Sequence, residues 1–146
     1  MLDISLGRYS RDNIVHDVGL MRAWYAKGAL AQKLSKYELA LHCFMEAEKG
    51  SEGVGLNPNE KLDLWIQQSL CYQSLNQLDH AMRILSQVIN EDAISPLRIK
   101  AMYLRADIYE LQGRPELAIK QLEAASRKGG EWSQKAKEKL EKNYGF

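Results

Sequence analysis

The chain has 146 residues, with 20 basic and 19 acidic side chains mixed along it and a formal net charge of +1. This balance argues against the basic face of a nucleic-acid-binding domain and against the polybasic segment of a membrane anchor. A chain of this length is expected to form one domain that buries roughly two-thirds of its unfolded surface.

The N-terminal segment, residues 1–20, begins with Leu2, Ile4 and Leu6 alternating with small or polar residues. This spacing is typical of a strand, but the rest of the sequence offers no strand to pair with it. Two interpretations stay open. The segment is either a mobile tail or an extended stretch that docks on an apolar surface, in the same chain or in a homodimer formed through residues 1–10.

The N-terminus lacks the basic and apolar regions of a signal peptide, and no apolar run approaches the roughly 20 residues of a membrane span. These features predict a cytoplasmic protein without direct membrane insertion. The alternative is that the chain is a fragment of a longer protein whose start is missing.

The first predicted hairpin joins a helix at about 17–34 to a helix at about 37–49. In each helix, one face alternates large and small side chains. Its members are Trp24, Gly28 and Ala31 in the first helix, and Ala40, Phe44 and Ala47 in the second. Rings that lie opposite small residues allow two antiparallel helices to approach closely.

The same alternation recurs twice downstream. Its members are Trp65, Ser69, Tyr72, Ala81, Leu85 and Val88 in the second copy, and Met102, Ala106, Tyr109, Ala118, Leu122 and Ala125 in the third. A hairpin that repeats in this way buries one face within itself. A second face is buried only when a neighbouring hairpin packs against it.

Each proline of the chain is placed where a helix would start, since proline in the first turn sacrifices no hydrogen bond. Asn57 and Ser95 precede two of them as N-caps, and Gly113 ends a helix just before the third. The further helices are predicted near 58–75, 78–90, 96–112 and 115–128.

This pattern resembles the tetratricopeptide repeat, in which Trp-x2-Leu-Gly-x2-Tyr is followed by Ala-x3-Phe and then Pro, with a period of about 34 residues. The resemblance covers residues 21–128, as repeats at about 21–50, 58–91 and 96–128. It implies an all-α superhelix of helical hairpins, an α-solenoid of about seven helices. The links between repeats are longer than those usual in the family.

Residues 131–146 follow Gly129 and Gly130 and carry Trp132, Ala136 and Leu140 at every fourth position, with lysines and glutamates between them. A narrow apolar stripe on a charged helix is what the end of a repeat array requires. We therefore expect a C-terminal capping helix whose Lys/Glu run faces water and binds no ligand.

No catalytic or metal-binding constellation stands out in the sequence. His16, His42 and His80 are far apart in unrelated registers, and HxxxH, CxxC and P-loop spacings are absent. The glycine-rich stretch at 50–57 follows a helix instead of a strand, so a loop insertion is expected there. The sequence predicts a protein that is not an enzyme and needs no cofactor or metal.

The two cysteines are too few for a disulfide framework, and free thiols in a reducing compartment are expected. Cys71 shares its register with Leu30 and Ile108, so it is predicted to replace a core aliphatic side chain. Cys43 shares its register with Ile84 and a glutamine, which predicts a half-buried site.

A second face of each first helix lies about 80–180° from the Trp/Gly/Ala face. The resemblance implies that these faces line a concave groove, the family's usual ligand surface. The predicted groove residues are Arg22, Tyr25, Ala29, Gln32, Asp63, Ile66, Leu70, Gln73, Lys100, Tyr103, Asp107 and Glu110. The alternative is that some of them pack against the neighbouring first helix.

The function implied by the resemblance is a non-enzymatic scaffold that binds a peptide or helix of a partner protein in the groove. The Lys and Asn carboxylate clamp of chaperone-binding members is matched only at Lys100, so this specialisation is not expected. Two alternatives are a small three-repeat secretion chaperone of the type III kind and the excised C-terminal repeat domain of a larger envelope or assembly protein.

Overall fold

The computed structural model of the chain describes residues 14–51, 57–91 and 95–146, with side chains from Gly19 onward. The described residues form seven helices and no strand, which confirms the predicted all-α fold. The helices are α1 (Ile14–Lys33), α2 (Tyr37–Ser51), α3 (Pro58–Ser74), α4 (Leu78–Asn90), α5 (Pro96–Leu111), α6 (Pro115–Ser126) and α7 (Glu131–Tyr144). Both interpretations of residues 1–10 lie outside the described ranges.

The predicted caps explain where two helices begin. The Asn57 side-chain oxygen accepts a hydrogen bond from the Glu60 backbone N–H at 2.9 Å, and its amide donates to the Glu60 carboxylate at 2.7 Å. Ser95 Oγ accepts from the Leu97 N–H at 3.1 Å. The two bonds from the Glu60 and Leu97 N–H groups satisfy backbone donors that have no partner within their own helices.

One turn geometry closes all three hairpins. Ser35, Asn76 and Gly113 occupy the same position after the first helix and have φ values of 59°, 61° and 72°. The N–H of the next residue then reaches back to a carbonyl of the last helical turn: Lys36 to Ala31 at 2.9 Å, Gln77 to Tyr72 at 2.8 Å and Arg114 to Tyr109 at 2.9 Å. This is the Schellman ending, and its recurrence supports the repeat assignment independently of the side-chain pattern.

Contacts divide the described chain after residue 71 into two compact units, which we call unit 1 and unit 2. The buried cluster of unit 1 draws on α1, α2 and α3: Met21, Ala31, Ala40, Phe44, Ala47, Leu64 and Cys71. The buried cluster of unit 2 draws on α5, α6 and α7: Met102, Ala106, Ala118, Leu122, Ala125, Ala136 and Leu140. Nine of the eighteen large/small positions of the sequence pattern are members of these clusters.

In unit 1, Gly28 of α1 lies directly against the Phe44 ring of α2. A Cβ atom added to Gly28 would lie 2.9 Å from Cε1 of the Phe44 ring and 3.1 Å from Cδ1 and Cζ. The ring is fully buried and packs edge-on against Tyr25 at a centroid distance of 5.4 Å. Ser69 and Ala106, which take the place of Gly28 in the later repeats, are likewise buried.

Three burial predictions need correction. Cys43 is fully buried, not half-buried, because the small side chain lies on the inner face of α2. Leu30 is 59% exposed, although Cys71 and Ile108 in the same register are fully buried. Trp24 is only partly buried and lies at the margin of the unit 1 cluster. Both cysteines are free thiols, and burial raises the pKa of the Cys71 thiol to about 11.

Gly28→Ala is expected to destabilise the fold by up to about 2 kcal/mol. Overpacking costs about 1–3 kcal/mol, and the gain in helix propensity returns about 1 kcal/mol of it. Gly19→Ala is the matched control in the same helix, since its added Cβ meets no heavy atom within 4 Å. It should stabilise by about 0.5–1 kcal/mol. Urea unfolding followed by circular dichroism measures both variants, and equal effects would contradict the proposed clash with Phe44.

Candidate interaction surface

The predicted groove residues fall in both units, and each unit is described by itself. Unit 1 holds Arg22, Tyr25, Ala29, Gln32, Asp63, Ile66 and Leu70, and unit 2 holds Gln73, Lys100, Tyr103, Asp107 and Glu110. Most of these side chains are partly exposed.

In unit 1, α1 and α3 bring Tyr25 and Asp63 together. The Tyr25 hydroxyl donates a hydrogen bond to the Asp63 carboxylate. Partial burial raises the pKa of Tyr25, and the hydrogen bond to Asp63 raises it further, so the phenol stays protonated over the physiological pH range. The pair thus holds the tyrosine ring in one orientation.

A cavity of about 190 Å³ opens beside this pair. Met21 and Leu64 contribute apolar walls to it, and both are almost fully buried. The remaining lining residues are Arg22, Tyr25, Glu60 and Asp63. Binding sites for drug-sized ligands usually measure about 300–1,000 Å³, so this cavity suits a single side chain of a partner better than a cofactor.

Ile66 departs from the prediction. Its side chain is fully buried, so it offers no area to a partner. The burial of Ile66 shows that this side chain packs within the protein. This corrects the prediction of Ile66 as a contact residue.

In unit 2, helix α7 supplies partners for two of the predicted groove residues. The Lys139 ammonium forms ion pairs with the carboxylates of Asp107 and Glu110, at 2.9 Å from Oε1 of Glu110. The Tyr144 hydroxyl donates to the other oxygen of Glu110. Burial lowers the pKa of Lys139, while burial and the hydrogen bond to Glu110 raise the pKa of Tyr144 to about 12.

Aromatic contacts extend this network along α7. The rings of Tyr103 and Trp132 meet edge to face at 5.4 Å between centroids. The ammonium groups of Lys135, Lys100 and Lys139 lie over these rings, the first two above Trp132 at 4.1 and 5.4 Å and the third above Tyr103 at 4.9 Å. Such contacts attract a cation to the negative face of a ring.

The sequence pattern does not predict the contacts of Lys139 with Asp107 and Glu110, because it places the whole Lys/Glu run of α7 in water. The Lys139 side chain is only 14% exposed. A signal for it was available, because Lys139 lies three residues after Ala136 and one before Leu140, at the edge of the apolar stripe. Asp107 and Glu110, spaced i and i+3 on α5, are the matching carboxylates.

The described residues contain no group of three or more histidine, cysteine, aspartate or glutamate side chains placed to hold a metal ion. Within the same ranges, no helix combines the length and the apolar character that crossing a membrane requires. The described side chains do form a small cavity in unit 1 and a charged aromatic network in unit 2.

Comparison with known proteins decides the family. A sequence model described as the tetratricopeptide repeat matches residues 22–49, 62–94 and 99–127, more than half of the chain. The chain belongs to the tetratricopeptide repeat family. The three matches coincide with the hairpins α1–α2, α3–α4 and α5–α6. A search of curated proteins finds no match.

Tetratricopeptide repeats generally mediate protein–protein interactions and are generally not enzymes. Their hairpins present helix faces side by side, and partner proteins bind to these faces. The side chains described above are therefore best understood as parts of a repeat protein that binds other proteins.

Lys139→Ala is expected to lower the free energy of unfolding by about 1–3 kcal/mol, because two partly buried carboxylates lose their charged partner. Lys137→Ala is the matched control, an exposed lysine on the same helix, and should change stability by less than about 0.5 kcal/mol. Urea unfolding at neutral pH measures both. Equal losses from the two variants would show that the ion pairs with Asp107 and Glu110 contribute nothing specific.

Proposed function

We propose that the protein is a non-enzymatic interaction module that binds a peptide or helix of a partner protein, with the face of α1 and α3 around Tyr25 as the anchoring site. The observation that carries the proposal is the cavity beside the Tyr25–Asp63 pair. It combines a fixed aromatic ring, apolar walls and polar groups within one small concavity.

Tyrosine suits this role because it offers a large contact area, a polar tip and little rotamer entropy to lose on binding. The hydrogen bond to Asp63 orients the ring before a partner arrives, which lowers the entropic cost of binding. Arg22 is exposed at the edge of the cavity. A charge in such a rim position mainly affects the association rate and its dependence on salt.

Tyr103 has the register of Tyr25 and stays part of the proposed surface in unit 2, together with Lys100. Their environment differs, because Tyr103 packs against Trp132 and Lys100 lies over the same ring. Substituting Tyr103 would therefore disturb α7 as well as a binding surface. Tyr25 is the cleaner residue to test.

Tyr25→Ala should weaken binding of the partner by about thirtyfold, equivalent to about 2 kcal/mol, because truncation removes the anchoring ring. The partner is first identified by affinity capture from source cells with the full chain. Isothermal titration calorimetry then compares the parent protein with Tyr25→Ala.

The matched control is Tyr37→Ala, which removes a partly buried tyrosine at the start of α2 in the same unit. Circular dichroism must show that both variants are folded. The proposal fails if folded Tyr25→Ala binds like the parent protein. It also fails if an exposed residue of α4, tested by His80→Ala, proves to carry the binding.

A further inference from the structure

One stripe of each first helix behaves alike in the second and third repeats. We call it the stacking stripe; it has the spacing i, i+3, i+4 and i+7, so its members share a helix face. Its members are Leu64, Gln67, Gln68 and Cys71 in α3, and Ala101, Leu104, Arg105 and Ile108 in α5. Six of these eight residues are at most 8% exposed, and Gln67 and Arg105 are partly buried.

In unit 1 the stripe of α3 meets the second helix of the preceding hairpin, α2. Gln68 Nε2 donates to Oε1 of Glu48 at 2.8 Å. Leu64 and Cys71 belong to the same buried cluster as Phe44. A second helix with a carboxylate at its edge therefore covers this stripe.

Unit 2 repeats the arrangement twice. Arg105 Nη1 of α5 donates to Ser86 Oγ of α4 at 3.2 Å. Ser133 Oγ of α7 donates to the carbonyl of Ala125 in α6 at 2.6 Å, and Ala136 of α7 lies in the same buried cluster as Ala125. In each of these cases, the helix that covers α3, α5 or α7 is the second helix of the preceding hairpin.

The corresponding stripe of α1 is open. Its members are Ala23, Ala26, Lys27 and Leu30, followed one turn later by Leu34, and all five are exposed. The two leucines are each 59% exposed. An apolar row of this kind is costly to leave in water and is usual at a site of protein contact.

The charged residues of the segment that carries the stripe have one sign. The segment from Gly19 to Lys36 contains four cations and no carboxylate. Lys27 takes the register of Gln68, which binds Glu48 in unit 1. The position that meets a carboxylate in the second repeat is therefore a lysine in the first.

We propose that the stacking stripe of α1 binds an amphipathic helix of another protein, one with an apolar face flanked by carboxylates, which packs on α1 as α2 packs on α3. Ala23 and Ala26 permit close approach of a helix backbone, Leu30 and Leu34 supply apolar area, and Lys27 pairs with a carboxylate. This surface is additional to the cavity beside Tyr25.

A second copy of this chain is a poorer occupant. The faces of α2, α4 and α6 that would stack on α1 are already covered by α3, α5 and α7 within their own units. Within the described part of the chain, the second helix of each hairpin thus has no free face that could pack on α1. The occupant is expected to come from a different protein.

The test uses the full chain and a synthetic peptide with the sequence of α2, residues 37–51, in which serine replaces Cys43. This is the helix that covers the stacking stripe of α3, and it includes Glu48. Fluorescence anisotropy of the labelled peptide gives the affinity, and amide chemical shifts of the ¹⁵N-labelled protein locate the contact. The perturbed amides are expected in α1.

Leu30→Glu should weaken peptide binding at least tenfold, because it places a like charge beside the peptide carboxylates and removes apolar area. Leu111→Glu is the matched control, since Leu111 is 60% exposed on α5 but lies outside the stacking stripe. Lys27→Glu should also weaken binding, and a peptide carrying Glu48→Lys should restore it. Charge-swap rescue would not follow from a general loss of stability.

Several results would overturn the proposal. The first is that no amide signal of α1 shifts when the peptide is added, or that Leu30→Glu and Leu111→Glu weaken peptide binding equally. The second is a dimer that Leu30→Glu dissociates during sedimentation, which would assign the stripe to a second copy. The third is tighter peptide binding after deletion of residues 1–13, which would assign it to the N-terminal segment. The fourth is binding of anionic lipid vesicles without binding of the peptide.

Discussion

Within each unit, the fold depends on covering one stripe of a first helix with the second helix of the hairpin before it. A helical hairpin buries one face in itself, but its first helix carries a second apolar row that only a neighbour can remove from water. Cys71 and Ile108 differ in chemistry and are both fully buried, because the preceding second helix covers this register in each case. Leu30 shares the register as well and is exposed. Burial thus follows the neighbour and not the residue type.

The two ends of the described chain meet this constraint differently. In unit 2, α7 covers α6 with a small apolar row and fixes itself to α5 through Lys139, Asp107 and Glu110. Partly buried ion pairs of this kind add orientation more reliably than stability. In unit 1, α1 packs its inner face as the other repeat helices do, but its stacking stripe is exposed to water.

Local rules were enough to predict the helices, because periodicity, proline positions and caps act within one or two turns. At Asn57 and Ser95, an N-cap side chain followed by proline marks the start of a helix. The predictions that failed concern which neighbouring helix covers a given helix face. Ile66 and Leu30 were both placed by register, yet one is buried and the other exposed. Lys139 was assigned to water from its charge, although a long side chain can reach carboxylates on a neighbouring helix.

Thiol reactivity tests this dependence of burial on the neighbouring helix most directly. The buried native cysteines, Cys43 and Cys71, should react with an aromatic disulfide reagent only as fast as the protein opens, because their thiols are covered and the burial raises their pKa. Leu30→Cys should add one rapidly reacting thiol, whereas Ile108→Cys at the same register should add none. If Cys71 or Ile108→Cys reacts as fast as Leu30→Cys, the preceding second helix does not cover the stripe and the account is wrong.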